Sequence, residues 1–175
     1  GRFALVHTQL RVVPETESDN SDTLVGLASD PAVDALRYNS QIRADLVGMF
    51  VLTGGGRAIL PLSLYHPDTG FHIISVVSAQ LGYGFEHEVG HNLNALHDRA
   101  HTPDMGPGWL AYGYNNGVCA DVMSYVGTHC PYYSSSTGVW QGTPMGTPTD
   151  DNMVSIANAF PYVSEYLTDG NCVEL

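Results

Sequence analysis

The stretch His87-Glu88-Val89-Gly90-His91-Asn92-Leu93-Asn94-Ala95-Leu96-His97-Asp98 decides how the whole chain is read. His87 and His91 stand four residues apart, so on an α-helix their imidazoles lie on one face and aim at one point. Zinc is well served by such a pair. Glu88 then sits beside the metal without binding it, where a carboxylate can take up a proton and return it. A continuing helix would carry His97, six residues past His91, through about 600° and about 9 Å of rise. The chain must therefore turn sharply between them. Asn94 stands where that turn has to be, and Asn is second only to Gly in accepting the left-handed conformation that ends helices. Three His ligands leave a fourth position open, which is the pattern of a catalytic zinc (Zn2+) and not of a structural one.

The order H-E-x-x-H-x-x-G-x-x-H-D, matched at every fixed position except the Gly, which is Asn94, resembles the metzincin zinc proteases. The resemblance implies a Met-containing turn beneath the zinc, and Val122-Met123-Ser124-Tyr125 lies in the right place, Met123 being 123 − 97 = 26 residues after His97. It implies that Met123 cushions the imidazoles, that Tyr125 approaches the zinc or the transition-state oxyanion, and that Asp98 braces the third ligand. Tyr112-Gly113-Tyr114-Asn115-Asn116-Gly117, Tyr132-Tyr133-Ser134-Ser135, Gly142-Thr143-Pro144-Met145-Gly146 and Asp151-Asn152 are similar to the pattern of bacterial reprolysin-like members. That branch includes the peptidyl-Asp metalloendopeptidases, said to prefer cleavage before acidic residues. The similarity runs from about residue 44 to 163 and is highly specific only at the zinc motif and the Met-turn.

In this family the segment after the Met-turn, residues 126–136 here, walls the pocket for the first residue beyond the scissile bond. Tyr132 and Tyr133 thereby become candidate substrate contacts, although core or surface packing explains them equally. The family's edge strand above the cleft pairs with an extended peptide, so Gly56, Arg57, Ala58, Ile59 and Leu60 become candidate backbone contacts. A plain edge hairpin remains the other reading of that stretch. Cys119 and Cys130 bracket the Met-turn, and a disulfide between them would pin the floor of the site and suit a secreted enzyme. Pairing of Cys130 with Cys172 is the less favoured alternative. Calcium (Ca2+) has no clear motif.

The chain as a whole suits one domain, with subdomains of about 1–94 and 95–175. It has 175 residues, 43% of them hydrophobic, with 19 Gly and 10 Pro, enough for a substantial core in a loop-rich protein. Its net charge of -12, with six Arg and no Lys, makes nucleic acid and anionic membranes poor partners. No run of about 18 apolar residues offers a membrane span. The expected partners are protein or peptide substrates, and the expected state is a monomer. No signal peptide opens the chain at Gly1, which suggests processing or trimming. Reprolysin-like domains ordinarily begin with a further strand and long helix. These are either absent here, replaced by helices within 20–40, or supplied by a separate, associating segment.

Around the motif, residues 2–13 read as a strand ended by Pro14, and 15–22 as an acidic surface loop. Two short helices follow within 20–40, the second with Asp30 as N-cap, Pro31 at its first position and an end at Arg37. Residues 44–52 are apolar on both faces and read as a buried central strand. Gly54-Gly55-Gly56 is a flexible turn without the Lys of a phosphate loop. Residues 57–65 form a strand whose Pro61 confines it to an edge, and 66–70 a turn flanked by His66 and His72, read as surface histidines. Residues 71–77 are the last strand. The zinc helix runs from about 80 or 83 to 93, with Phe85, Val89 and Leu93 toward the sheet. A final helix of about 152–167, capped by Asp150 or Asp151, buries Met153, Ile156, Ala157 and Phe160 and is interrupted by Pro161.

The expected fold is therefore α/β (α+β): a twisted mixed sheet over an active-site helix, and a mostly irregular C-terminal subdomain. The expected function is a secreted zinc endopeptidase. Two other classes stay open. One is a catalytically silent metzincin-like domain that binds peptide or matrix protein. The other is a structural-zinc module, which needs a fourth ligand that His101 or His129 would have to supply.

Overall fold

The computed structural model describes residues 5, 7–9, 21–62, 65–106 and 108–167. The strand expected over 2–13 and most of the loop expected over 15–22 lie outside them, as does Cys172. Two short helices open the described chain, α1 (Ser21–Ala28) and α2 (Pro31–Arg37). Local chemistry sets the start of α2: the Asp30 carboxylate accepts the Ala32 N–H at 2.8 Å, and Pro31 needs no partner at the first position. At the other end Arg37 is buried. Its guanidinium donates to the carbonyls of Ala44 (3.0 Å), Pro67 (2.6 Å) and Asp45 (2.6 Å) and lies over the Phe71 ring.

Among the described residues the main sheet has three strands, β1 (Val47–Val51), β2 (Gly56–Ala58) and β3 (Phe71–Ser75), in the order β1-β3-β2. β1 runs parallel to β3 with Val47 opposite Phe71, and β2 runs antiparallel with Gly56 opposite Ile74. The sheet is thus mixed, as expected, but its buried central strand is β3 and not residues 44–52. β1 has one neighbour and one covered face among the described residues. Val47, Met49 and Val51 pack with Leu24, Leu27 and Ile73, while Phe50 on the opposite face is 59% exposed.

The strand ends also differ from expectation. β2 stops at Ala58, with the Ile59 N–H giving a last rung to Phe71 O at 3.0 Å, and Pro61, which has no N–H to give, falls beyond it. The following turn contains a 3-10 segment, Pro67–Thr69. β3 ends at Ser75, two residues early, because the Ser75 hydroxyl accepts the Ser78 N–H and caps a helix, α3 (Val76–Leu81). After Gly82, α4 (Gly84–Asn92) carries the histidines.

The lower half is less irregular than expected. β4 (Leu96–Asp98) pairs in parallel with β5 (Tyr112–Gly113), and β6 (Ser135–Trp140) forms a hairpin with β7 (Thr143–Met145). Gln141 and Gly142, both at positive φ, make its two-residue turn. The last helix, α5 (Asn152–Val163), starts where the Asp151 carboxylate accepts the Val154 N–H, and it continues past Pro161 to Val163, short of 167. Its buried stripe is Asn152, Ile156, Ala159 and Val163, at helical spacings of four, three and four, so Met153 and Ala157 face outward, contrary to expectation.

One apolar cluster joins α4, the 122–123 segment and α5 through Val89, Leu93, Ala95, Val122, Met123, Ile156, Ala159 and Val163. Val89 and Leu93 therefore pack down onto α5 and not up onto the sheet, and Phe85 is half-exposed with its ring T-shaped against that of His72. What α4 turns toward the sheet is polar. Asn92 is buried and donates to the carbonyls of Ile59, Thr69 and Phe71 at 3.0–3.1 Å, while its carbonyl oxygen meets His72 Nδ1 at 2.8 Å. His72, expected at the surface, is 2% exposed. The molecule is a mixed α/β arrangement of small sheets, of the α+β kind.

Candidate metal centre

α4 presents His87 and His91 on one face and then stops through backbone geometry. Asn94 has φ 68°, its N–H reaches His91 O at 2.9 Å, and the Ala95 N–H reaches back to Gly90 O at 2.9 Å. The Asn94 side chain donates to Leu62 O at 2.7 Å, tying the turn to the upper half. The reversed chain enters β4, where Asn152 clamps Leu96 from both sides, accepting its N–H at 3.0 Å and donating to its carbonyl at 3.1 Å. His97 follows directly, swung back toward α4.

The three imidazoles meet, with one nitrogen of each lying within 4.8 Å of the others. His97 Nε2 is 3.0 Å from His87 Nε2 and 2.9 Å from His91 Nε2. His87 Nδ1 lies 2.9 Å from Val122 O and His91 Nδ1 2.9 Å from Ala95 O. A carbonyl only accepts, so both Nδ1 atoms carry the proton and both Nε2 atoms present lone pairs. His97 Nε2 can donate to one of them at most. Lone pairs thus face one another, an arrangement that a cation relieves.

Protonation state agrees with that reading. Burial, then the neighbouring His87 and His97, press His91 down to about 3; burial and His87 press His97 down to about 4, with Asp98 opposing. Burial likewise lowers His87. Neutral nitrogens are what a metal requires, and the donor set of three imidazoles suits zinc. Among the described residues the cluster holds three members. His101 is engaged with Asp98 Oδ1 at 2.7 Å and His129 with Ser124 O at 2.6 Å.

Met123 is fully buried beneath the helix. A Cβ at Gly90 would come within 2.7 Å of its sulfur and 2.8 Å of the Tyr133 ring, so the glycine is what lets both approach. The Tyr125 ring stands 4.1 Å from that of His97, centroid to centroid, and its backbone N–H donates to Asp98 Oδ2 at 2.9 Å. Asp98 thus ties β4 to the 125 segment. Burial works against its ionisation, yet the Tyr125 N–H and His101 hold it below the usual carboxylate value. Burial, then the Glu88 charge, raises the Tyr125 hydroxyl. Cys119 and Cys130 form a disulfide around this floor, with Cα atoms 5.8 Å apart.

An open groove runs past the cluster, lined among others by Gly56, Arg57, His87, Glu88, Tyr125 and His129. Ala58, Ile59, Leu60, Tyr132 and Tyr133 are not part of that lining. Ala58 pairs with His72, Ile59 and Leu60 turn into apolar clusters, and Tyr132 lies against Trp140. The Tyr133 hydroxyl donates to Glu86 O at 2.6 Å, which makes it a prop under α4. Sequence reasoning missed the buried supports. Asp121 accepts from Ser124 Oγ at 2.7 Å and Ser134 N at 2.8 Å, and the Ser134 hydroxyl in turn links Tyr112 O to Asn152 N. Asp121-x-x-Ser124 and the Asp-Asn pair at 151–152 were the available signals.

No protein-family model matches the chain. It is 35% identical over 82 residues to the peptidyl-Asp metalloendopeptidase of Xanthomonas campestris pv. campestris, an overlap of 43% of this chain and 20% of that protein. The chain therefore spans about a fifth of the length of that relative, and the match relates it to a metalloprotease. A solved chain from the "Structure of a chaperone-substrate complex" has the same fold, with a TM-score of 0.68 at 20% identity over 87% of this chain and 26% of the other.

Proposed function

We propose that the chain is the catalytic domain of a zinc-dependent endopeptidase of the metzincin type. The observation that carries the reading is the meeting of three Nε2 atoms, two of them fixed as lone pairs, beside buried Glu88 on an open groove. His87, His91 and His97 would hold the ion. Zinc in that position supplies Lewis acidity, polarising a peptide carbonyl and bringing the pKa of water toward about 7. Glu88 takes the proton of the attacking water and delivers it to the leaving nitrogen. The Tyr125 hydroxyl, held protonated beside the cluster, donates to the developing oxyanion. Met123 supports the imidazoles from below, and Asp98 fixes the Tyr125 segment to the third ligand.

The edge of β2 at Gly56 and Arg57 lays an extended protein or peptide substrate along the groove. The related enzyme's name specifies peptidyl-Asp bonds, and a preference for acidic residues is proposed here as well. Arg57 in the groove lining carries the charge that suits a carboxylate side chain. The disulfide fits a secreted protein. Replacement of the general base tests the mechanism: Glu88→Ala should keep one zinc per chain, measured by elemental analysis, and lose nearly all turnover. Activity equal to that of the unaltered chain would refute it.

A further inference from the structure

Gly54-Gly55-Gly56 reads as a turn, and Gly54, at φ 101°, needs to be glycine for that reason. Gly56 does not: its φ is not positive, and it is already the first residue of β2, paired with Ile74. What singles it out is the space that a side chain there would have to enter, which Glu88 and Ile74 already fill. A Cβ at Gly56 would stand 2.3 Å from Glu88 Oε1, 2.8 Å from Glu88 Cδ and 2.8 Å from Ile74 Cδ1. No carbon approaches a carboxylate oxygen so closely, so with any other residue there something must shift, and the nearest atom, at 2.3 Å, belongs to the carboxylate.

We infer that Gly56 is a positioning residue for Glu88: the bare strand edge seats the carboxylate beside the histidine cluster, and the same edge receives the substrate. The inference rests on the reading of Glu88 as the base. Gly56 touches no reacting atom in this account. It acts by letting β2 and α4 approach until the carboxylate is confined between the strand and the groove. A side chain there would shift the carboxylate by about 1 Å, a displacement of the size that costs on the order of 10²-fold in rate.

The test is a double-mutant cycle of Gly56→Ala and Glu88→Ala, read first as thermal unfolding of the metal-free chains. Gly56→Ala alone should lower Tm by about 2–12 °C, the range set by overpacking in a domain of this size. In the Glu88→Ala background at least half of that loss should vanish, because the obstructing carboxylate is gone. An equal loss in both backgrounds overturns the inference, placing the clash at Ile74 or the backbone. Should Gly56→Ala fail to fold, folding of the double variant supports the inference and failure of both overturns it.

Turnover of the zinc-loaded chains gives the second reading. Gly56→Ala should keep one zinc, lose about 10- to 100-fold in kcat and keep KM within about threefold. Gly26→Ala, whose added Cβ meets nothing within 4 Å, is the control expected to change neither. Unchanged kcat in Gly56→Ala overturns the positioning role. If instead zinc-loaded Glu88→Gln turns over normally, the base reading fails, while the metal-free cycle still judges the contact itself.

Discussion

The reversal that brings His97 back to the cluster depends on one backbone angle, φ 68° at Asn94. Replacing Asn94 by Ala and by Gly removes the same amide and its 2.7 Å hydrogen bond to Leu62 O, worth about 1 kcal/mol. The left-handed conformation costs an ordinary L-residue about 1–2 kcal/mol and costs glycine little beyond chain entropy. Asn94→Ala should thus lose about 2–3 kcal/mol, and Asn94→Gly about 1 kcal/mol less than that. For a domain of this length 1 kcal/mol moves Tm by about 2–4 °C, so the two variants should separate by that amount in circular-dichroism melts. Zinc titrations should rank them in the same order, since binding pays for any reorganisation of His97. Equal melting temperatures and equal zinc affinities for the two variants would refute the reasoning, because the turn would then not depend on its φ.

Asn92→Ala strips three carbonyls and His72 Nδ1 of a buried partner and should cost about 3 kcal/mol, or roughly 6–12 °C in Tm. A loss under about 1 kcal/mol in denaturant titration would contradict it. His72 is held neutral chiefly by burial, with the Asn92 bond opposing, so its pKa lies below 6.5. As pH falls through 6.5 the unfolded chain takes up a proton that the folded chain refuses. Its contribution to stability is therefore whole above that value and declines below it. Metal-free His72→Gln should accordingly show a shallower loss of stability between about pH 7.5 and 5.5. A slope identical to that of the parent would argue against a neutral buried imidazole.

The cluster was legible because its signal is local. Four-residue spacing sets His87 and His91 on one helix face, and a residue able to take positive φ stands at the needed reversal. The start of α2 was legible for the same reason, since Asp30 and Pro31 act within three residues of themselves. What stayed hidden depends on partners far along the chain. Asn92 meets carbonyls 21–33 residues away, and Asn152 clamps Leu96 across 56. Residues 44–52 show apolar side chains on both faces, but how many neighbours a strand acquires is not written in its own composition, and Phe50 ended exposed. The direction of Val89 and Leu93 was misjudged because α4 is covered on two sides, and its polar residues, Glu88 and Asn92, turned out to face the sheet. The β6–β7 hairpin did leave a trace, Gln141-Gly142 between two short extended runs, which polar composition obscured.

The most direct measurement is digestion of an unstructured protein by the purified chain, with zinc, with a chelator, and after zinc is returned, the cut sites being read by mass spectrometry. The account predicts one bound zinc per chain, cleavage abolished by the chelator and restored by zinc, and cuts enriched before acidic residues. Cleavage indifferent to the chelator, or a chain that holds its zinc and cuts nothing, would contradict it.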